Sequence, residues 1–468
     1  MEVAIGMGAE KMVVSPSPRC QQLWCRAIGM VSAKAVVLAS KTKKVWRDDP
    51  RRVLHSMKVG LALAIVSIFY YVNPIYDGFG VSMMWAVLTA VVVMEYTVGG
   101  TLSKGTNRAF GTLLAGALGV GAHHLAVLFG HRGEPVLLVI FVFLIGAAAS
   151  FSRFIPEVKA RYDYGTVIFI LTFSLVAVSS YRVDELLELA HQRLSTVAIG
   201  AAACICISVF VFPVWAGEEL HDLCAGNLEK LATYLEGLAA EYFREKDELA
   251  NVHVKGEHDD FSHAYRPVLN SKNTEETLAN LARWEPPHGQ FGLRHPWKHY
   301  LKLGALARRC AFHIDVLNTH TTRCEEDPHL SSTEFHEKTM RACAQMCSAS
   351  GNVLRELASS MRKMTEPSNA RQHLKNSGAA VESLTQQVVL GKETVLFGVL
   401  RGASMASLLV EIVACTRDIA ASVEELARVA SFRRVDAAAA AITHQQKAAA
   451  IKPVSGPEDP AGVCIVVK

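Results

Sequence analysis

The sequence predicts an all-α membrane protein, with six transmembrane helices followed by a cytosolic helical domain. Half of the 468 residues are hydrophobic and 20% are charged, whereas about a quarter are charged in ordinary soluble chains. Six apolar stretches, each near the length that crosses a bilayer, lie in the first half of the chain. In the second half, apolar residues recur every three or four positions between charged ones, a pattern typical of amphipathic helices in a soluble domain.

The six apolar stretches are separated by short breaks rich in glycine and proline. The breaks include the glycine pair at 99–100, the segment 130–135 and Pro156. Since an apolar segment in lipid must satisfy its own backbone hydrogen bonds, each stretch is expected to be helical. The predicted spans are residues 57–73, 80–97, 106–128, 136–152, 164–181 and 192–213.

The positive charges of the short loops predict the orientation of the spans. Six lysines and arginines precede the first span between residues 41 and 52, and the loops after the second and fourth spans are also basic. The loops after the first, third and fifth spans carry little net positive charge. Because basic loops stay in the cytosol, we expect a multi-pass protein with both termini cytosolic and an acidic outer face.

These features divide the chain into four predicted regions. A basic cytosolic segment covers residues 1–52, and the six-helix membrane domain covers 53–214. The helical cytosolic domain follows at 215–435. The tail at 436–468 is Ala-rich and then Pro/Gly-rich, which predicts disorder because it has too few large apolar residues to bury.

Several classes of function are not supported by any motif. The chain has no Walker loop, no HExxH zinc motif and no nucleophile elbow, so the sequence predicts neither an enzyme nor a cofactor. Residues 1–214 hold 19 Lys and Arg against 12 Asp and Glu, but these charges lie between apolar runs. They form no basic face, and we expect no nucleic-acid partner.

Three cations are predicted to lie at membrane depth: Lys58, Arg108 and Arg193. Ionisable residues at that depth are costly and mark a transport pathway by default. A stripe of small residues follows each arginine at helical spacing, as at Gly111 and Gly200. The stripes have two interpretations. Either they form tight helix interfaces while the arginines reach the headgroups, or they line a narrow path in which guanidinium groups bind an anion such as a dicarboxylate.

One carboxylate, Glu95, is predicted at similar depth near the inner end of the second span. It would repel an anion unless it were paired. Lys104 and Arg108 are both close enough in sequence to pair with it.

Three acidic residues on the predicted outer face form a candidate external cation site: Asp77, Asp184 and Glu188. Asp184 and Glu188 are four positions apart and share a face if that connection is helical. Hard polyvalent cations prefer clustered carboxylate oxygens. The alternative is that these acids only give the outer loops their negative charge and pair with Arg182 and Arg193. No metal site is assigned with certainty.

Over residues 44–435 the chain resembles the plant aluminium-activated malate transporter family of anion channels. In the cytosolic half, the Trp-Glu-Pro signature of that family appears at Trp284, Glu285 and Pro286. The other stretches that carry the resemblance are DPRRVLHSMKVGLALAIVSIFYY, GVSMMWAVLTAVVVMEYTVGGTLSKGTNR, RYDYGTVIFILTFSL, HQRLSTVAIG, FPVWAGEELH and FGLRHPWKHYLKLGALARRCAF.

The resemblance implies passive conduction of malate and inorganic anions by a homodimer whose two subunits build the pore. Arg108 and Arg193 match pore arginines of the family, and Lys58 and Lys104 fall in matching stretches. The implied location is the lipid bilayer of the plasma membrane, with the vacuolar membrane as the alternative. The cytosolic domain is expected to influence gating.

Trp284 and Glu285 are the predicted gating residues. Glu285 is followed by two prolines, which hold the chain out of a helix. A second interpretation is that the Glu285 carboxylate only caps the next helix.

Two other functions remain open on the sequence. An ion-coupled carboxylate exporter, resembling bacterial aromatic-acid efflux proteins, would need a coupling carboxylate in the path, and Glu95 is the obvious candidate. A membrane scaffold without transport would leave the cations at membrane depth unexplained.

Overall fold

The computed structural model describes most of the chain. The described residues are 34, 37, 39–44, 46–47, 49–71, 83–179, 186–241, 262–292, 295–325, 334–367, 369–390 and 396–433.

The secondary structure of the described residues consists mainly of α-helices joined by turns and irregular segments, with two isolated β-bridges. The chain divides into two compact units, Met1–Pro213 and Val214–Lys468. The first unit holds α1 Pro50–Tyr71, α2 Met84–Val93, α3 Val98–Val127, α4 Gly130–Ser152, α5 Pro156–Ser179 and α6 Leu186–Phe210. The second unit holds α7 Ala216–Glu241, α8 Arg266–Leu269, α9 Lys272–Ala282, α10 Trp297–Glu325, α11 Glu334–Lys363, α12 Ala370–Leu390 and α13 Leu396–Val429.

Five helices of the first unit are long and apolar enough to cross a membrane: Pro50–Phe69, Val98–Val127, Arg132–Ser152, Pro156–Ser179 and His191–Phe210. Each overlaps one of the predicted spans. The second predicted span, 80–97, contains only the ten-residue helix α2 within the described residues. Ten residues rise about 15 Å, half of a bilayer core of about 30 Å. The number six therefore stays a prediction.

The break between α2 and α3 lies earlier than the sequence predicts. The chain leaves the helical conformation after Val93 and α3 already begins at Val98, not at 106. The hydroxyl of Thr97 accepts a hydrogen bond from the backbone N–H of Gly100 at 3.1 Å, and such a cap is a strong helix start. The glycine pair 99–100 therefore lies in the first turn of α3. The segment 130–135 is likewise helical, since α4 begins at Gly130.

Glycines allow the membrane-type helices to approach closely. A Cβ atom on Gly111 of α3 would lie 2.7 Å from the carbonyl oxygen of Gly165 on α5. A Cβ atom on Gly200 of α6 would lie 2.6 Å from the carbonyl oxygen of Ala86 on α2. These glycines of the two small-residue stripes therefore serve helix packing.

Replacing Gly111 with Ala is expected to destabilise the first unit by about 1–3 kcal/mol, because backbone atoms of α5 must move away. The midpoint of thermal unfolding of the purified protein measures this. Gly121→Ala, on the same helix, is the matched control, since nothing lies within 4 Å of its Cβ position. It should be neutral or slightly stabilising because alanine favours helix. Equal losses in both variants would contradict the packing assignment.

The second unit has one large apolar core. Leucines at helical spacing form the apolar face of α7, where Leu220, Leu228, Leu231 and Leu235 are fully buried. α7 packs against α11, which also contacts α12 and α13, and α10 packs against α13. On which side of a membrane this unit lies stays a prediction.

A buried ion pair joins three helices of this unit. Glu275 of α9, whose side chain is 1% exposed, pairs with Arg308 of α10. Its carboxylate also accepts hydrogen bonds from the Ser271 hydroxyl at 2.7 Å and from the Asn227 side-chain amide of α7 at 3.4 Å. The partners satisfy a carboxylate that would otherwise be costly to bury.

Candidate functional site

Arg108 and Arg193 line one small cavity in the first unit. Its volume is about 20 Å³, which is room for about one water molecule. Arg108 comes from α3 and Arg193 from α6, so the fold brings together two cations that are 85 positions apart in sequence. The other lining residues are Trp85, Thr112, Ile168, Leu171, Thr172, Leu175 and Val197.

The Arg108 side chain is buried and only partly satisfied. The residue is 4% exposed, and its Nη1 donates a hydrogen bond to the hydroxyl of Tyr164 on α5 at 3.2 Å. Its Nε is buried and has no hydrogen-bond partner. Because a guanidinium group has five donors, Arg108 retains unused hydrogen-bonding capacity.

Arg193 lines the same cavity from α6. Its guanidinium carbon lies 4.6 Å from the ring centroid of Trp85 on α2, a cation–π contact. Its buried Nε also has no hydrogen-bond partner. The Trp85 indole therefore covers one face of the Arg193 guanidinium group, and Nε remains without a hydrogen-bond acceptor.

The electrostatics of the cavity are positive. None of the described lining residues is acidic, and no described carboxylate lies within 4 Å of either guanidinium group. Buried charges in proteins are usually paired. An anion in the cavity would supply the partner that the described side chains do not.

Lys104 and Glu95 form a separate pair. The Lys104 ammonium contacts the Glu95 carboxylate and lies 5.6 Å from the centroid of the Tyr164 ring. Of the two partners that the sequence allows for Glu95, the structure therefore shows Lys104. Neither residue lines the arginine cavity.

Lys58 has a different partner. The residue is 4% exposed, and its Nζ donates a hydrogen bond to the carbonyl oxygen of Phe212 at 2.7 Å. Phe212 follows the C-terminal end of α6, where helix carbonyls carry partial negative charge. Lys58 thus ties α1 to the end of α6 and does not line the cavity.

The candidate external cation site lies outside the described residues. Asp77 and Asp184 are not described, and Glu188 lies on α6 with its side chain outside the description. Within the described part of the chain, no three His, Cys, Asp or Glu side chains are arranged to hold a metal ion. The external site stays a prediction.

Glu285 caps the start of α7. One carboxylate oxygen accepts the backbone N–H of Ala216 at 2.6 Å, and the other accepts that of Gly217 at 3.0 Å. These are among the first N–H groups of α7, which have no partner within the helix. A Cβ on Gly217 would lie 2.4 Å from the Trp297 ring, so the cap depends on a glycine. Trp284 is half-buried just beyond the end of α9.

A chain of hydrogen bonds lies within the second unit. The Nε2 of His221 is 2.7 Å from the carbonyl oxygen of Met361 and its Nδ1 is 2.9 Å from the Tyr300 hydroxyl. Since a carbonyl only accepts, Nε2 carries the proton and Nδ1 accepts from Tyr300. The hydroxyl in turn accepts from Nε2 of His295 at 3.1 Å. Burial lowers the pKa of both His221 and His295, the latter to about 4.

The second unit is therefore expected to lose stability as the pH falls from about 6.5 toward 4. Unfolded His295 takes up a proton near its ordinary pKa of 6.5, whereas the folded form stays neutral to about 4, so acid favours the unfolded chain. His295→Gln should weaken this pH dependence of the unfolding midpoint. The same change at His313, outside this network, is the control. Identical pH profiles for wild type and His295→Gln would contradict the assignment.

Two residues that contact the arginines of the cavity were not predicted from the sequence. Trp85 and Tyr164 contact Arg193 and Arg108, respectively. Both lie in stretches that carry the family resemblance, but no spacing rule links either residue to its arginine. Their roles depend on how α2 and α5 pack against α6 and α3.

Comparisons with known proteins identify the family of the chain. The family described as "Aluminium activated malate transporter" matches residues 43–397. Aluminum-activated malate transporter 1 of Triticum aestivum is 47% identical over 438 residues, covering 92% of this chain and 94% of that protein. Aluminum-activated malate transporter 2 of Arabidopsis thaliana is 47% identical over 393 residues, covering 84% of this chain and 77% of that protein. This chain therefore belongs to the aluminium-activated malate transporter family, a family of membrane transporters and not of enzymes.

Proposed function

We propose that this protein is a homodimeric anion channel that passes malate and inorganic anions passively across the plant plasma membrane, with both termini in the cytosol. One observation carries the proposal. Arg108 and Arg193 line one cavity in which no described residue is acidic. The relatives named as malate transporters support the substrate class.

The chemistry of the two guanidinium groups suits a dicarboxylate. Arginine stays charged and offers a planar fork that binds a carboxylate through two hydrogen bonds. Malate has two carboxylates, so Arg108 and Arg193 would each have one carboxylate to bind. Positive side chains around a constriction are also a known basis of anion selectivity. In a homodimer, each subunit contributes its own Arg108 and Arg193.

The described cavity is too small for a malate dianion, because it holds about one water molecule. Conduction therefore requires the helices around it to separate. Trp85 and Tyr164 lie against the two cations, so their contacts change when the cavity widens. On this proposal the described conformation does not conduct.

The second unit is proposed to influence this opening through α7. In the chain, α7 begins at Ala216 and α6 ends at Phe210, so a short segment joins the last membrane-type helix to a helix that Glu285 caps. A movement of α7 would be transmitted along this covalent connection.

Glu285→Gln is expected to change the open probability and leave the unitary conductance intact. The amide keeps one acceptor oxygen but loses the charge that favours the N-terminal end of α7, and loss of a cap costs about 1 kcal/mol. Single-channel recording measures both quantities. Glu276→Gln, at an exposed carboxylate of the same unit, is the control. A changed unitary conductance in Glu285→Gln would contradict a gating role.

Recording from purified protein in liposomes tests the proposed function. We expect currents with malate, chloride or nitrate as the charge carrier, and none when all three are replaced by a large impermeant anion. Protein that is folded and inserted but passes no anion would overturn the proposal and favour a scaffold without transport.

A further inference from the structure

The chain that leads into α1 carries a dense group of cations. Residues 41–52 include six lysines and arginines against two aspartates, a net charge of +4. We call them the juxtamembrane basic segment, because the first membrane-type helix begins at Pro50. All six cationic side chains are exposed: Lys41, Lys43, Lys44, Arg47, Arg51 and Arg52. The segment therefore presents positive charge beside the point at which the chain is expected to enter the membrane.

Two cations that the sequence places on the same side of the membrane have partners within the protein. Lys104 follows the second predicted span, and its ammonium contacts the Glu95 carboxylate. Arg153 follows the fourth predicted span, and its Nε donates a hydrogen bond to the Asp163 carboxylate at 2.7 Å. In these two places the fold supplies a counter-charge for the cation.

In the juxtamembrane basic segment, the described carboxylate lies toward one end. Asp49 accepts hydrogen bonds from the backbone N–H of Arg51 at 3.1 Å and from the Arg52 Nε at 3.2 Å. Among the described residues, no carboxylate lies within 4 Å of the four cations farther upstream, which are Lys41, Lys43, Lys44 and Arg47. These four exposed side chains are therefore available to an anionic partner outside the protein.

The local conformation places an aromatic ring beside these cations. Residues 39–44, 46 and 47 are helical, and Lys43 is three positions before Trp46 and four before Arg47, a spacing that puts the three on one face. Trp46 is 59% exposed. Tryptophan is enriched at membrane interfaces, where its ring lies at the level of the headgroups. A helix that presents cations together with an exposed tryptophan is suited to lie on a bilayer surface.

We propose that the juxtamembrane basic segment binds the phosphate groups of anionic phospholipids in the inner leaflet. The choice of leaflet rests on the cytosolic N-terminus of the proposed function. Clusters of lysine and arginine directly cytosolic of a transmembrane helix attract such lipids, and the arginine fork pairs with two phosphate oxygens at once. The rule that basic loops stay in the cytosol explains on which side the charges lie. It does not explain why four of them are exposed, without a described carboxylate, next to Trp46.

Energy transfer from Trp46 to labelled lipids tests the proposal. Full-length protein is reconstituted in phosphatidylcholine liposomes that contain a trace of dansyl-phosphatidylserine or of dansyl-phosphatidylcholine, and the difference from the Trp46→Phe protein isolates the Trp46 signal. We expect several-fold more transfer to the anionic probe, and a weaker preference at high salt, because salt screens exposed charges. The probe is present in both leaflets and no current is measured. The result is therefore independent of the orientation of the protein and of anion conduction.

A variant without the four upstream charges identifies the residues that bind the lipid. Each cation near an anionic surface strengthens binding about fivefold, so the preference for the anionic probe should disappear in a quadruple variant with Lys41→Gln, Lys43→Gln, Lys44→Gln and Arg47→Gln. The matched control removes four exposed lysines of the second unit and should keep the wild-type preference; its changes are Lys272→Gln, Lys298→Gln, Lys363→Gln and Lys375→Gln.

Three results would overturn the proposal. The first is equal transfer to both probes in the wild type, and the second is a preference that survives in the juxtamembrane variant. The third is an equal loss in both quadruple variants, which would reflect net charge alone. Inorganic phosphate that removes the preference, at an ionic strength at which chloride leaves it intact, would also overturn the lipid assignment and give the four cations to free phosphate.

Discussion

Arg108→Gln and Arg193→Gln are each expected to lower the malate current by about tenfold or more, with normal amounts of protein at the membrane. The amide retains hydrogen-bond donors but removes the charge. A hydrogen bond to a charged group contributes about 1.5–3 kcal/mol, and 1.4 kcal/mol is a factor of ten. Both arginines line the cavity, and each has a buried Nε without a hydrogen-bond partner, so each variant loses a charged donor that the proposed anion would bind. Whole-cell recording with a surface-labelling assay measures current and abundance together.

The same substitution at Arg132 is the matched control. Arg132 is an exposed arginine of the first unit that does not line the cavity, so Arg132→Gln should retain most of the current. The malate current of Lys104→Gln should lie between that of Arg132→Gln and those of the two cavity variants, since the Lys104 charge already pairs with Glu95. Undiminished current and unchanged anion selectivity in both cavity variants would remove Arg108 and Arg193 from the proposed pore.

Glu275→Ala is expected to lower the free energy of unfolding of the second unit by about 3–5 kcal/mol. Removing one partner of a buried ion pair leaves the other charge uncompensated, and here Arg308, Ser271 and Asn227 all lose an acceptor. Because α7, α9 and α10 meet at this carboxylate, the loss should affect the whole unit. Thermal or denaturant unfolding of the purified protein, followed by tryptophan fluorescence, measures it.

The adjacent residue provides the control for this change. Glu276 is exposed, and its carboxylate lies 4.0 Å from Lys272 one helical turn away. An exposed pair of this kind contributes at most about 1 kcal/mol. Glu276→Ala should therefore leave the unfolding transition almost unchanged. Similar shifts for the two variants would show that the Glu275 network does not stabilise the unit.

The hydropathy of the chain predicted the membrane-type helices well because lipid forces an apolar segment to be helical along its length. The same information did not predict where α3 begins. Its start depends on the hydrogen bond from the N–H of Gly100 to the Thr97 hydroxyl, a local contact that turns a glycine pair from a loop signal into the first turn of a helix. Glycine and proline therefore marked the breaks only approximately.

The sequence pointed to the two arginines of the candidate site as candidates, but it did not predict which residues contact them. Arg108 and Arg193 stand out because cations at membrane depth are rare, but their shared cavity depends on tertiary packing. Trp85 reaches Arg193 because Gly200 lets α6 lie against α2, and no sequence spacing encodes that contact. The contact of Glu285 could not be predicted from sequence spacing either, since the helix that it caps begins 69 positions before it.

The reversal potential of the current under combined malate and pH gradients tests most directly whether the protein conducts anions passively. Purified protein in a planar bilayer is recorded with a fixed malate gradient, first at equal pH and then with a pH gradient kept well above the pKa of ordinary carboxyl groups, about 4. For a passive channel we expect a reversal potential that follows the malate gradient and does not move when the pH gradient is applied. A reversal potential that shifts with the pH gradient would contradict it and assign the protein as a coupled carboxylate exporter.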